Sequence, residues 1–139
     1  MWRRDVPTPP AFAPSIWTDA SPPRPLAPAL EGETRADVVV IGAGFTGLSA
    51  ALAMAERGRK VVVLEAAAVG WGASGRNNGQ VIPTMTGAEP DAMARRFGEA
   101  GERFGQLVSD SATMLFDLVR RKGIDCEAVQ NGWIQPAHS

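Results

Sequence analysis

Three glycines and one glutamate have the types and spacing of a site that binds an adenine dinucleotide. Gly42, Gly44 and Gly47 form a G-x-G-x-x-G motif after a Val/Ile run, and Glu65 ends the next apolar run. In such motifs the first glycine permits a tight turn, the second lets backbone approach a pyrophosphate, and the third lets a helix pack closely on the sheet. Glu65 stands at the spacing of the carboxylate that accepts the ribose hydroxyls. The sequence therefore predicts an adenine-dinucleotide site.

A βαβ unit must position these four residues. The pattern predicts a strand at residues 37–41, a helix at 46–57 and a second strand at 60–64. The unpaired N–H groups at the start of that helix lie at the positive end of its dipole, where they attract a phosphate anion. Both strands are continuously apolar, which is typical of parallel strands buried on both faces. One helix covers only one face, so we expect further strands beside these two.

The segment after Glu65 has the composition of a ligand-binding loop. Residues 66–86 lose the helical pattern and combine four glycines with Arg, Asn and Gln side chains. Such a loop indicates backbone that comes close to a ligand. A nicotinamide-dependent dehydrogenase would normally continue from its second strand into another crossover helix. That enzyme class stays open as an alternative, although the sequence indicates no such helix.

The flanking segments have patterns of their own. Residues 1–36 carry eight of the eleven prolines, which predicts an extended arm. Apolar residues at spacings of three and four predict an amphipathic helical region after residue 90, in which glycines at 98, 101 and 105 favour a bend or break. Gly123 is placed to cap its C-terminus. The Asn131-Gly132 pair predicts a hairpin between residues 124–130 and 132–137.

Composition excludes several classes of function. The chain has 139 residues, a formal net charge of −1 and 21% charged residues, so it has no basic surface for nucleic acid or for a membrane. The single Cys126 cannot form an internal disulfide. Prolines rather than an apolar run follow Arg3 and Arg4, so we expect no secretory signal there. We therefore expect a cytoplasmic protein that binds no nucleic acid, no membrane and no metal.

The motif block also carries a family resemblance. The stretch VVVIGAGFTGLSAALAMAERGRKVVVLEAAAVGWGASGRNNGQ resembles the N-terminal FAD-binding region of the D-amino-acid-oxidase-like FAD-dependent oxidoreductase family. Within that family it is most similar to the γ-glutamylputrescine oxidase and glycine/sarcosine oxidase branch, and the G-A-S-G-R-N-x-G-Q loop is the specific part. The resemblance implies an α/β fold: an incomplete Rossmann-like FAD-binding βαβ domain, following helices and the start of a substrate-domain hairpin. The implied domains are an N-terminal arm (1–36), the N-terminal portion of the FAD-binding domain (37–123) and the truncated start of a substrate-binding sheet (124–139).

The resemblance also implies which residues contact FAD. Five residues would contact the pyrophosphate, and Glu65 would contact the adenosine ribose. Nine loop residues would line the path from the pyrophosphate to the flavin ring. The pyrophosphate set is Gly42, Gly44, Phe45, Thr46 and Gly47, and the loop set is Gly72, Ala73, Ser74, Gly75, Arg76, Asn77, Asn78, Gly79 and Gln80. Because the loop has neither His nor Cys, we expect FAD to be held non-covalently.

The activity implied by the resemblance is oxidation of an amine or amino acid. A hydride leaves the carbon beside the nitrogen for FAD, and O₂ or another acceptor then reoxidises the flavin. Family members are about three times longer, so we expect the chain to lack a C-terminal portion or to need a complementing chain. No catalytic residue is predicted. We expect the isolated chain to retain FAD weakly and to show no turnover, and a non-catalytic dinucleotide-binding remnant is a further alternative.

Overall fold

The protein forms two compact units, Met1–Asn78 and Gly79–Ser139. Its structure, a computed structural model, describes residues 11–12, 14–22, 27–84 and 89–134. The first unit contains a small parallel sheet with a helix packed on it, and the second contains a pair of helices. The chain is therefore of the mixed α/β class that the sequence predicts. The predicted domain boundaries at residues 36 and 123 stay predictions.

Within the predicted N-terminal arm, the described residues include one short helix, α1 (Ile16–Ala20). Ser15 begins it through a capping box, in which its hydroxyl accepts the N–H of Thr18 while the Thr18 hydroxyl accepts the N–H of Ser15. The expectation of an extended segment is wrong at these residues, because this reciprocal cap satisfies backbone groups that a short helix leaves open. Residues 1–10, 13 and 23–26 of this arm lie outside the described residues.

The sheet consists of two parallel strands, β1 (Val38–Ile41) and β2 (Val61–Leu64), with Val38 opposite Val61. Each strand begins one residue later than the sequence predicts. At this end of the sheet the N–H groups of Asp37 and Val38 donate to the Lys60 carbonyl at 2.9 and 3.2 Å, and the N–H of Lys60 donates to the Asp37 carboxylate at 2.8 Å. Two strands linked through one helix make the predicted βαβ unit.

Helix α2 (Phe45–Ala55) covers one face of this sheet. Among the described residues, the buried apolar ones are Ala43 and Ala51. On the opposite face Val39 is 55% exposed and Ile41 is 87% exposed. Among the described residues, the prediction of strands buried on both faces is therefore not met. Successive strand residues point to opposite faces, and the single helix covers only one of them.

The second unit contains α3 (Pro90–Phe97) and α4 (Glu99–Lys122), which pack on each other. The predicted helical region breaks at Gly98, where φ is +56°, a value that L side chains rarely adopt. Gly101 is buried, and a Cβ built there would lie 2.1 Å from the Met93 carbonyl oxygen. Sequence patterns indicated only that this glycine weakens α4. In the structure it lets α3 approach the backbone of α4.

The segment after α4 departs from the sequence prediction. Gly123 caps the helix in a left-handed conformation, as predicted, with φ of +60°. Residues 124–134 form no strand, so the predicted first hairpin strand is wrong in the described part; residues 135–139 lie outside it. An isolated two-stranded hairpin is marginally stable at best. Here Arg120 donates to the Gln130 side chain at 3.1 Å and holds the segment beside the end of α4.

Over the ranges that the structure describes, no helix is both long and apolar enough to cross a membrane. Within the same ranges, no group of three or more His, Cys, Asp or Glu side chains is placed to hold a metal ion.

The two α4 glycines provide a matched test of the α3–α4 packing. Gly101→Ala forces a methyl group against the Met93 carbonyl, so we expect it to destabilise the helix pair by about 1–3 kcal/mol. Gly105→Ala places its methyl group 3.9 Å from Pro90 Cβ, an ordinary contact, and should stabilise the helix by about 0.5–1 kcal/mol. Denaturant unfolding followed by far-UV circular dichroism measures both. Equal effects of the two substitutions would contradict the packing described here.

Candidate functional site

The glycine motif forms a tight turn between β1 and α2. Gly42 has φ of +98°, and its N–H donates to the Leu64 carbonyl at 2.7 Å, so the turn leaves directly from the sheet. A Cβ on Gly47 would lie 2.0 Å from the Gly42 carbonyl oxygen. No side chain fits between α2 and the turn at this point. These two glycines therefore have the mechanical roles that the sequence predicts for them.

Ala43 connects the turn to the segment that follows β2. It is 1% exposed, and both of its backbone groups have partners. Its N–H donates to Glu65 Oε2 at 2.7 Å, and its carbonyl accepts the N–H of Gly70 at 2.9 Å. A buried backbone group without a partner would be strongly unfavourable, so these two contacts fix the turn to the loop.

Glu65 is held in its charged form by backbone donors. The N–H of Ala43 binds one carboxylate oxygen, and the N–H of Ala67 binds the other at 3.0 Å. These hydrogen bonds, that of Ala43 first, lower the pKa of Glu65 below its ordinary value. A carboxylate has about four acceptor positions, and the backbone donors of Ala43, Ala66 and Ala67 do not fill all of them, so the group can still accept a hydroxyl from a ligand.

The loop turns back on the N-terminus of α2. A 3₁₀ turn at Ala73–Gly75 carries Ser74, whose Oγ accepts the N–H of Phe45 at 2.9 Å. The Arg76 guanidinium lies 4.3 Å from the centre of the Trp71 ring, and its Nε donates to the Trp71 carbonyl at 3.1 Å. The described contacts of Arg76 thus hold the loop in shape.

A cavity of about 420 Å³ lies between the start of α2 and the loop, entirely within the first unit. Its volume is in the range of small-molecule sites. The lining residues are mainly small or apolar, and they come from the turn, the first turn of α2 and the loop. They are Ala43, Gly44, Phe45, Leu48, Val69, Gly70, Ser74 and Gly75.

The predicted cofactor residues fall into four groups in the structure. Four line the cavity: Gly44, Phe45, Ser74 and Gly75. Four build or flank the turn: Gly42, Thr46, Gly47 and Glu65. Five lie elsewhere along the loop: Gly72, Ala73, Arg76, Asn77 and Asn78. Gly79 and Gln80 belong to the second compact unit.

Sequence reasoning missed four residues that line the cavity: Ala43, Leu48, Val69 and Gly70. For two of them, the position in the sequence could have predicted a place at the cavity. Ala43 stands between the first two motif glycines, and Leu48 lies one turn after Gly44 on the same side of α2. Gly70 has φ of +70°, which explains a glycine there, but its contact with Ala43 depends on the path of the loop.

Comparison with known proteins identifies the family. The DAO family model, described as FAD dependent oxidoreductase, matches residues 37–139 of this chain. The chain belongs to this FAD-dependent oxidoreductase family. Its cofactor is therefore FAD, as the sequence predicts, and the matched region includes both the turn and the loop.

Proteins with curated descriptions are similar to much of this chain. Gamma-glutamylputrescine oxidoreductase of Escherichia coli is 39% identical over 92 residues, which are 66% of this chain and 21% of that protein. Probable oxidoreductase OrdL of Haemophilus influenzae is 42% identical over 103 residues, which are 72% of this chain and 23% of that protein. The chain thus spans about a fifth of the length of these relatives. No solved structure matches it significantly.

The residues at the cavity fit part of an FAD molecule. The N–H groups of Thr46 and Gly47 lie in the first turn of α2, where helix geometry provides no carbonyl acceptor, and that turn contains no acidic side chain. A phosphate there meets backbone donors and the positive end of the dipole. Glu65 contacts Ala43, in the glycine turn just before α2, and its carboxylate can accept hydroxyl groups. The donor set therefore suits a pyrophosphate and the acceptor set suits a ribose.

The backbone contacts of Glu65 make the first unit sensitive to acid. Because its pKa is lowered on folding, Glu65 stabilises the folded state fully above its ordinary value of 4.5, and this contribution is lost as pH falls through the lower folded value. We expect Glu65→Gln to be less stable than wild type at pH 7, and we expect this difference to shrink below about pH 4.5. Urea unfolding across this pH range measures the difference. Glu33→Gln, at an exposed site in the same unit, is the control, and a difference for Glu65→Gln that does not change with pH would contradict the assignment.

Proposed function

We propose that this chain is the N-terminal FAD-binding portion of a flavin-dependent oxidoreductase that oxidises the C–N bond of an amine or amino acid. The observation that carries the proposal is the cavity at the start of α2, beside Glu65, in a chain of an FAD-dependent family. The amine class is supported by the description of the Escherichia coli relative as a gamma-glutamylputrescine oxidoreductase.

The residues of the first unit have separate roles in this proposal. The first-turn N–H groups of Thr46 and Gly47 bind the pyrophosphate, and Glu65 accepts the ribose hydroxyls. The loop residues 72–80 extend from the pyrophosphate toward the flavin ring. Since residues 66–84 contain neither His nor Cys, this loop holds FAD without a covalent bond.

The chemistry comes from the cofactor, which when bound accepts a hydride from the carbon beside the substrate nitrogen before O₂ or another acceptor takes the electrons. The contribution of this chain is to bind and orient the dinucleotide. We assign no residue of this chain to proton transfer or to substrate binding. An amine or amino-acid substrate would be recognised by groups outside the turn, helix end and loop that bind FAD.

Further protein surface completes the flavin site in this proposal. The outer face of β1 is uncovered, with Ile41 87% exposed, and the described core contains only two buried apolar residues. The region shared with this chain makes up 21% and 23% of these two relatives. We therefore propose that a further C-terminal portion or a complementing chain supplies the remaining contacts with FAD. We also propose that the protein is cytoplasmic. The isolated chain binds FAD weakly and does not oxidise amines.

Titration of the purified chain with FAD, followed by flavin fluorescence, tests the cofactor assignment. We expect saturable but weak binding, with no competition from NAD or NADP at equal concentrations. Acid precipitation should release all of the flavin into the supernatant, because no covalent bond holds it. Putrescine derivatives and amino acids should not bleach the flavin absorbance of the isolated chain.

Three results would contradict the proposal in different ways. Tighter binding of NAD than of FAD would indicate a nicotinamide-dependent protein. Amine-dependent bleaching by the 139-residue chain alone would show that no further protein surface is needed. Absence of all dinucleotide binding would contradict the FAD site proposed for this chain.

A further inference from the structure

Helix α2 begins without a side-chain cap of its own. Its N-cap residue is Gly44, which has extended backbone geometry and makes no side-chain hydrogen bond. Helices usually begin with Ser, Thr, Asp or Asn at this position, because the side chain accepts one of the unpaired N–H groups. The sequence of the motif therefore leaves the start of α2 dependent on groups from elsewhere.

Ser74 supplies the missing acceptor from a distant part of the chain. Its Oγ lies 2.9 Å from the backbone nitrogen of Phe45, the first residue of α2, across a sequence separation of 29 residues. A hydroxyl that accepts an N–H keeps its own proton, so it can still donate to an anion at the same helix end. The contact joins the start of the helix to the middle of the loop.

Gly44 leaves the space that Ser74 occupies. A Cβ built on Gly44 would lie 2.9 Å from Ser74 Oγ and 3.8 Å from Ser74 Cβ. The first distance is a clash, and the second is an ordinary contact. Any side chain at Gly44 would therefore displace the serine hydroxyl, whether or not a ligand is bound.

The loop holds Ser74 in this position. Asn77 Nδ2 donates to the Ser74 carbonyl at 2.6 Å, and the N–H of Gly75 donates to the Gly72 carbonyl at 3.3 Å. The stacking of Arg76 on Trp71 lies immediately beside this 3₁₀ turn. These contacts fix the backbone on both sides of Ser74, so they keep its hydroxyl beside the start of α2.

We propose that Ser74 is a positioning residue for the FAD site and that Gly44 is a glycine also because Ser74 Oγ must fit against it. Ser74 caps α2 across the loop, so it fixes the phosphate-binding helix end and the loop in one arrangement. This inference rests on the proposed binding of FAD at that helix end. It assigns to Gly44 a reason within the protein in addition to close approach of the pyrophosphate.

A double-mutant cycle on Gly44 and Ser74 tests the inference in the full chain. Ser74→Ala should weaken FAD binding about fivefold, because it removes one neutral hydrogen bond, and Ser74→Thr should restore most of the affinity. Gly44→Ala should weaken binding about fivefold more beside Ser74 than in the Ser74→Ala background, where only the 3.8 Å contact with the protein remains and the rest of the loss comes from the pyrophosphate. Ser49→Ala, an exposed serine on the same helix, is the control and should change affinity less than about twofold.

Hydrogen exchange at the Phe45 amide gives a readout that does not require FAD. Ser74→Ala should accelerate this exchange about fivefold, and neither Ser49→Ala nor Ser74→Thr should do so. The same cycle measured on the free energy of unfolding should show the same coupling between Gly44 and Ser74.

The outcomes separate this inference from the proposed function. An equal loss of FAD affinity from Gly44→Ala in both backgrounds would overturn it, since the glycine would then serve the ligand alone. Unchanged exchange at Phe45 in Ser74→Ala would also overturn it. If the wild-type chain binds no FAD, the proposed function fails for this chain, and coupling in the unfolding cycle then decides whether Ser74 still positions the helix end.

Discussion

The backbone of Ala43 is the point on which the rest of the first unit depends. It is almost completely buried, so both its N–H and its carbonyl need partners inside the protein. Glu65 provides the acceptor and Gly70 provides the donor. The turn after β1, the end of β2 and the loop are therefore fixed by two hydrogen bonds at one residue. The cavity exists because these three segments are held together.

The carboxylate of Glu65 has a structural role beside its expected role toward a ribose. Backbone donors on both oxygens lower its pKa and keep it charged. Ser74 also has two roles, at the other side of the cavity: its hydroxyl accepts the backbone N–H of Phe45 and keeps a proton that it can donate to a ligand. Both groups bind the protein's own backbone at the place where ligand contacts are expected. The residues around the cavity are thus held in place by the protein itself, without a ligand.

The sequence predicts the βαβ unit and its motif well, because local patterns determine both. The Val runs, the three glycines and Glu65 specify strand, turn, helix and acid within a few dozen residues, and the boundaries differ by only one or two positions. Contacts across the chain were not predictable in this way. The Ser74–Phe45 contact spans 29 residues, and the role of Gly101 depends on where α3 crosses α4. The strand at 124–130 was expected because the Asn131-Gly132 pair after it is a strong turn signal. That signal does not provide the neighbouring strands that a hairpin needs.

The central claim is that FAD binds against the turn and loop of the first unit. Hydrogen–deuterium exchange with and without saturating FAD, read by peptide mass spectrometry, tests it most directly. We expect FAD to slow exchange in peptides that cover residues 42–47 and 70–78, and to leave exchange in α4 unchanged. Protection confined to α3 and α4, or no protection at residues 42–47 under saturating conditions, would contradict the account.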